Sequence, residues 1–160
     1  MNDNKPTNPK DAIATFKLPL HLLSGIGEAY ESIALYLGAT KYGAHNYTVG
    51  GARASIYVAA LRRHLSRWWL GENHDRGGTP HLANAKACLD ILIEARERGV
   101  LVDDRPPSFD LGPLYARLES LMPEIRERYR HLEPKHWTID DTPAPSVATP
   151  SPAEPRNESK

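Results

Sequence analysis

A single cysteine, Cys88, is all the chain has, which excludes an internal disulfide and suits a reducing compartment. No run of roughly 18 apolar residues occurs, so nothing reads as a membrane-spanning helix. Neither sign of charge is in excess, since 20 basic residues balance 20 acidic ones. That balance argues against a general nucleic-acid or membrane-surface binder, which carries a basic excess. It remains compatible with a small anion held by a few local cations. The opening MNDNKPTNPKD lacks the basic-then-apolar layout of a secretory leader. The expectation is a soluble cytoplasmic protein whose partners include neither nucleic acid nor membrane.

Strand alternation is also missing, and the Val100-Leu101-Val102 run is too short to build a sheet. The periodicity instead predicts an all-α fold, an antiparallel bundle of about four helices. The first covers Ser24 to Lys41, with Ser24 as N-cap and Ile26, Tyr30, Ile33 and Leu37 as its stripe. The second runs from Ala52 to Leu70 and stops at Gly71. The third opens at Thr79-Pro80, carries Leu82, Ala85, Leu89, Leu92 and Ile93, and ends at Gly99. The fourth covers Leu111 to Leu132, with a kink at Pro123. Residues 1–15 read as a flexible N-terminus and 16–137 as the helical domain. Residues 138–160, proline- and serine-rich, read as a disordered tail that cannot bury enough surface to offset its ordering entropy.

Polar residues crowd the segment from Gly38 to Ala85 beyond what helix packing requires. Glu72 and Asp75, three apart just after Gly71, lie on one side of a turn and can share a hard cation with phosphate oxygens. A solvated loop with two exposed acids accounts for the same spacing. Glu28 and Glu31 repeat it on the first helix, where an exposed acidic face is the simpler reading taken alone. Together the four carboxylates could hold two cations around a polyphosphate. His64 and His81 bracket the acidic loop, without the closer spacing that zinc prefers. Lys41, Arg53, Arg62 and Arg63 offer cations for phosphate, though surface solvation explains some of them equally well. Asn46 and Tyr47, in a glycine-bounded loop, could read and stack a base. Trp68 and Trp69 are adjacent, so one indole is left for a contact between subunits.

Three strings in order, GATKYGAHNY at 38–47, RRHLSRWWLGENHD at 62–75 and GGTPHLANA at 77–85, carry a resemblance. Over about residues 18 to 95 the chain resembles the phage dATP/dGTP diphosphohydrolases, MazG-like members of the all-α nucleotide pyrophosphohydrolases. It is similar in particular to the MazZ group of phages whose DNA carries 2-aminoadenine. The resemblance implies metal-dependent conversion of purine deoxynucleoside triphosphates, dGTP or GTP foremost and dATP as the other candidate, to monophosphates. The dGMP would feed 2-aminoadenine nucleotide synthesis. It implies Mg²⁺ or Mn²⁺ on Glu72 and Asp75, with Glu28 and Glu31 as further ligands. The gap from Glu31 to Glu72 is longer than the superfamily's usual E-x-x-E to E-x-x-D spacing. Glu72, Asp75 and His64 are the catalytic candidates, and Lys41, Asn46, Tyr47, Arg63 and His81 the substrate-binding ones. A homo-oligomer, dimer or tetramer, is implied as well. Two rivals are a non-catalytic helical interaction protein and an HD-type phosphohydrolase built on His74-Asp75.

Overall fold

The computed structural model describes residues 17–141, and they fall into two compact units, divided along the chain between Pro106 and Pro107. In the first unit a 3₁₀ turn at Leu20–Leu22 leads into helix α1, Gly25–Tyr42. Ser24 begins this helix as expected. Its Oγ accepts from the Gly27 N–H at 3.1 Å, satisfying one of the donors that a helix start leaves open. A one-turn helix α2, Tyr47–Gly50, occupies the loop that follows. Strand β1, Ala52–Arg53, leads into α3, Ala54–Trp69; then come α4, His81–Glu97, and strand β2, Leu101–Val102.

The two short strands pair in parallel, Ala52 opposite Leu101 and Arg53 opposite Val102. The apolar run at 100–102 therefore does make a sheet contact, although only two residues long. It works because α3 and α4 form a hairpin whose open end brings residue 52 beside residue 101. Asp104 reinforces that end. Arg53, at the N-cap of α3, has no side-chain capping bond. Asp104 supplies it from 49 residues away, accepting from the Ser55 N–H at 2.8 Å and the Ser55 hydroxyl at 2.6 Å.

Helix α4 is the centre of this unit and packs against α1, α2 and α3. Its contact face is made of small residues. Among the described residues the fully buried apolar side chains are all alanines: Ala34, Ala52, Ala54, Ala83, Ala85, Ala87 and Ala95. Each methyl contributes only about 0.8 kcal/mol on burial, so close backbone approach rather than bulk defines the contact. The stripes expected in the core are instead largely outside it. Ile26, Tyr30 and Ile33 are 76, 53 and 54 % exposed, and Leu82, Leu89 and Ile93 are 44, 45 and 60 % exposed.

The second unit holds α5, Gly112–Glu119, and α6, Met122–Arg128. The fourth helix is thus interrupted at Ser120 and Leu121 rather than kinked. Pro113 and Pro123 each sit in the first turn of their own helix, where a missing N–H costs nothing. A 3₁₀ turn at Ile139–Asp141 follows, with the Asp141 carboxylate accepting from the Thr138 N–H and pairing with Lys135. These residues begin the segment expected to be a disordered tail. Its remainder, and the N-terminal segment expected to be flexible, lie outside the described residues. The all-α expectation holds, and no helix among the described residues is long and apolar enough to cross a membrane.

Candidate active site

The closed end of the α3–α4 hairpin is built by two local motifs. Gly71, at φ +93°, ends α3. Its N–H bonds the Trp68 carbonyl at 3.0 Å while the Glu72 N–H bonds the Arg67 carbonyl at 3.0 Å. This pair of bonds satisfies carbonyls the helix would leave open and fixes Glu72 directly beyond the last turn. Asp75 then folds the loop around its carboxylate. Its Oδ1 accepts from the Gly77 and Thr79 N–H groups, each at 2.9 Å, and its Oδ2 from Asn84 Nδ2 at 3.2 Å. Burial alone would raise the Asp75 pKa, but these three donors together hold it below the ordinary carboxylate value. The group is ionised at neutral pH.

That turn delivers His81 to the start of α4, where it is 1 % exposed. Its Nδ1 lies 2.8 Å from Nδ1 of His64, one and a half turns before the end of α3. Its Nε2 lies 3.5 Å from Glu72 Oε1, which Arg67 Nη1 also approaches at 3.4 Å. At that distance Nε2 makes no hydrogen bond and is a buried polar atom without a partner. Burial, together with the nearby His81, Arg63 and Arg67, lowers the His64 pKa, with Asp75 opposing, so His64 is neutral at neutral pH.

A cavity of about 700 Å³ opens beside His64. Its walls come from the second half of α1, the Gly43–Tyr47 segment, one face of α3, Asp75, and Asn84, Ala87 and Cys88 of α4. Of the residues singled out in the sequence, Lys41, Asn46, Tyr47, His64 and Asp75 are brought together on this cavity. Burial first, then the nearby Glu94 carboxylate, raise the Tyr47 phenol pKa, so it stays protonated. Glu72 and His81 stand behind His64 rather than on the cavity wall. Arg63 is exposed on α3, near enough for its charge to act on His64.

Glu28 and Glu31 are placed otherwise. Glu28 is exposed in the first turn of α1, where a carboxylate complements the helix dipole. Glu31 is buried against α4, paired with Lys86, which also bonds Asp90 Oδ2 at 2.8 Å. Burial and the adjacent Asp90 raise the Glu31 pKa, and Lys86 offsets part of this. Among the described residues no three of His, Cys, Asp and Glu gather to hold one ion. The four-carboxylate arrangement is therefore not assembled within one chain, and His74-Asp75 gain no further ligands of the HD type. The pair expected to hold a cation, Glu72 and Asp75, keeps open acceptor positions. A carboxylate offers about four acceptor sites, of which three are taken at Asp75, and Glu72 is half exposed. Such a pair suits a hard ion that arrives with a polyphosphate and keeps waters or phosphate oxygens as its other ligands.

Sequence reasoning assigned no role to Asn84 or Tyr57, which also line the cavity. The spacing Tyr57, Ala60, His64 on one face of α3 carried that signal. Asn84, one turn after His81, is explained by its bond to Asp75.

Neither the curated proteins nor the solved structures gave a match. A family model described as "dATP/dGTP diphosphohydrolase, N-terminal" matches residues 7–105, which include every residue of the site and stop at the end of the first unit. The chain belongs to the dATP/dGTP diphosphohydrolase family.

Proposed function

We propose that this chain hydrolyses purine deoxynucleoside triphosphates, dGTP or GTP foremost and dATP next, to the monophosphate. In a phage-infected cell the dGMP so formed would feed 2-aminoadenine nucleotide synthesis in the host cytoplasm. The observation that carries the reading is the cavity between α1, α3 and α4, with the ionised Asp75 and neutral His64 at one side and Asn46 and Tyr47 at another. It has the size of a small-molecule site and mixes aromatic walls with a few polar groups.

Glu72 and Asp75 would hold Mg²⁺ or Mn²⁺, which supplies neutralisation of phosphate charge and polarisation of a phosphoryl oxygen. Lys41, at the last turn of α1, and Arg63 would take up charge on the phosphates. Tyr47 would stack on the purine and Asn46 would bond its edge. His64 would accept a proton from the attacking water. Product formation from dGTP, dATP, GTP and dCTP, measured with Mg²⁺, with Mn²⁺ and with EDTA, tests the reading. Metal-dependent dGMP release is expected. No turnover with either metal would retire the hydrolase and favour a helical interaction protein.

The working form in this reading is a homo-oligomer, a dimer or tetramer. Its support is the apolar stripe of α1, with Ile26, Tyr30 and Ile33 outward, and Trp69, 79 % exposed. A chain whose own core is alanine gains its bulk burial by covering such stripes with a second copy. Light scattering should give a multiple of 17.8 kDa, and Ile33→Glu should lower it. A monomeric wild-type protein at micromolar concentration would overturn this part of the proposal.

A further inference from the structure

The contact between His64 and His81 fixes more than a distance. Two Nδ1 atoms 2.8 Å apart must share one hydrogen, with one ring donating and the other accepting. The other nitrogen of His81 decides which. It is buried, and what it faces at 3.5 Å is the Glu72 carboxylate, an acceptor only. A bare Nε2 lone pair there would confront another lone pair without water to separate them. An imidazolium would place a full charge in a site that is 1 % exposed, beside a carboxylate already shared with Arg67. The arrangement that costs least carries the hydrogen on Nε2 of His81, directed at Glu72. His81 Nδ1 is then the acceptor and His64 Nδ1 the donor.

We infer that His81 is a positioning residue that locks His64 in the Nδ1–H tautomer through the chain Glu72, His81, His64, so that the Nε2 lone pair of His64 is the one left for the cavity. Second-sphere carboxylates fix imidazole tautomers in the same way at metal and catalytic sites. The lowered pKa of His64 is consistent with this, since the ring stays neutral. An acceptor on the cavity wall suits a water molecule, whose O–H can point at it, and repels a phosphate oxygen. His64 therefore serves the attacking water and leaves phosphate to Lys41 and Arg63. Glu72 can take part while binding an ion, because His81 and Arg67 both approach Oε1 and leave the second oxygen open. The role in catalysis rests on the hydrolase reading; the tautomer does not.

The test is the ¹⁵N spectrum of the imidazoles in the metal-free, nucleotide-free protein, with His64→Gln and His81→Gln used for assignment. His64 is expected with hydrogen on Nδ1 and a bare Nε2, and His81 with the reverse. Glu72→Ala, at a half-exposed position, should release the lock and return His64 toward the Nε2–H form common in free imidazole. His81→Phe should do the same and lower kcat by about 10- to 100-fold with a smaller change in KM. A wild-type His64 protonated on Nε2, or a spectrum unchanged in Glu72→Ala, would overturn the inference. A locked tautomer in a protein that turns over no nucleotide would retire the hydrolase reading alone. An ordinary tautomer in an active enzyme would retire the relay alone.

Discussion

Glu72→Gln should reduce metal-dependent nucleotide hydrolysis by about 10²- to 10⁴-fold, the range for loss of a group that takes part in the chemistry, while the helical fold persists. The side chain lies just beyond the α3 terminus and is 45 % exposed, so the fold gains little from its charge. A surface substitution of this kind changes stability by about 0.5 kcal/mol or less. The amide keeps the shape and still presents an oxygen toward His81, but it lacks the negative charge that a hard cation needs. A carbonyl oxygen in its place leaves Asp75 as the sole anionic ligand, with three of its acceptor sites already committed. Steady-state rates across a Mg²⁺ titration, with circular dichroism as the fold control and Glu97→Gln as the charge control, would decide it. A Glu72→Gln enzyme of undiminished rate would remove both the ion and the chemistry from this loop.

The largest effect on stability is expected at Gly51. Its backbone lies at φ +78° and ψ 176°, a region in which residues other than glycine are strained. A Cβ built there would stand 2.4 Å from the Val100 carbonyl oxygen. That oxygen is backbone, and it accepts from the Ala52 N–H as β1 begins to pair with β2. It cannot step aside without opening the hairpin end where Asp104 caps α3. Gly51→Ala should therefore cost roughly 3 kcal/mol, a fall in melting temperature on the order of 10 °C. The neighbouring Gly50 has no atom within 4 Å of its added carbon, and Gly50→Ala should change stability by about 1 kcal/mol or less. Equal melting temperatures for the two variants would mean that the close approach at Gly51 is absent in solution.

Much of the helical plan was legible because helix ends are set by local chemistry. Ser24, Gly43, Gly71 and Gly99 act through their own side chains or their own φ angles, and each marks a boundary in the structure within a residue or two. The fourth helix shows the limit of such signals. A proline disrupts a helix interior but is welcome in a first turn. Pro123 alone cannot say whether the chain bends or starts again, and the structure starts again. The candidate site was legible in part for the same reason. Lys41, Asn46 and Tyr47 surround one loop, and His64, Asp75 and His81 surround another, so spacing placed each group near its neighbours. That the two loops line one cavity was not readable from spacing.

The sequence by itself determined the all-α class, the ends of the first three long helices to within about two residues, and the crowding of acids and histidines at one hairpin. It also determined the family, through three strings whose order and spacing are local properties. Only the tertiary structure decided which side of each helix is inside. Periodicity marks a stripe of large residues without naming the surface that covers it. Here close packing of α1 and α3 on α4 selects alanines, because small side chains let backbones approach, and it leaves the large residues outward. The same packing set the fate of the carboxylates. Lys86, from a helix distant in sequence, neutralises Glu31 while also pairing with Asp90 on its own helix, and Glu72 meets His81 only because Gly71 and Asp75 close their turns. Charge and spacing are written in the chain, but which charges meet depends on contacts between residues far apart along it.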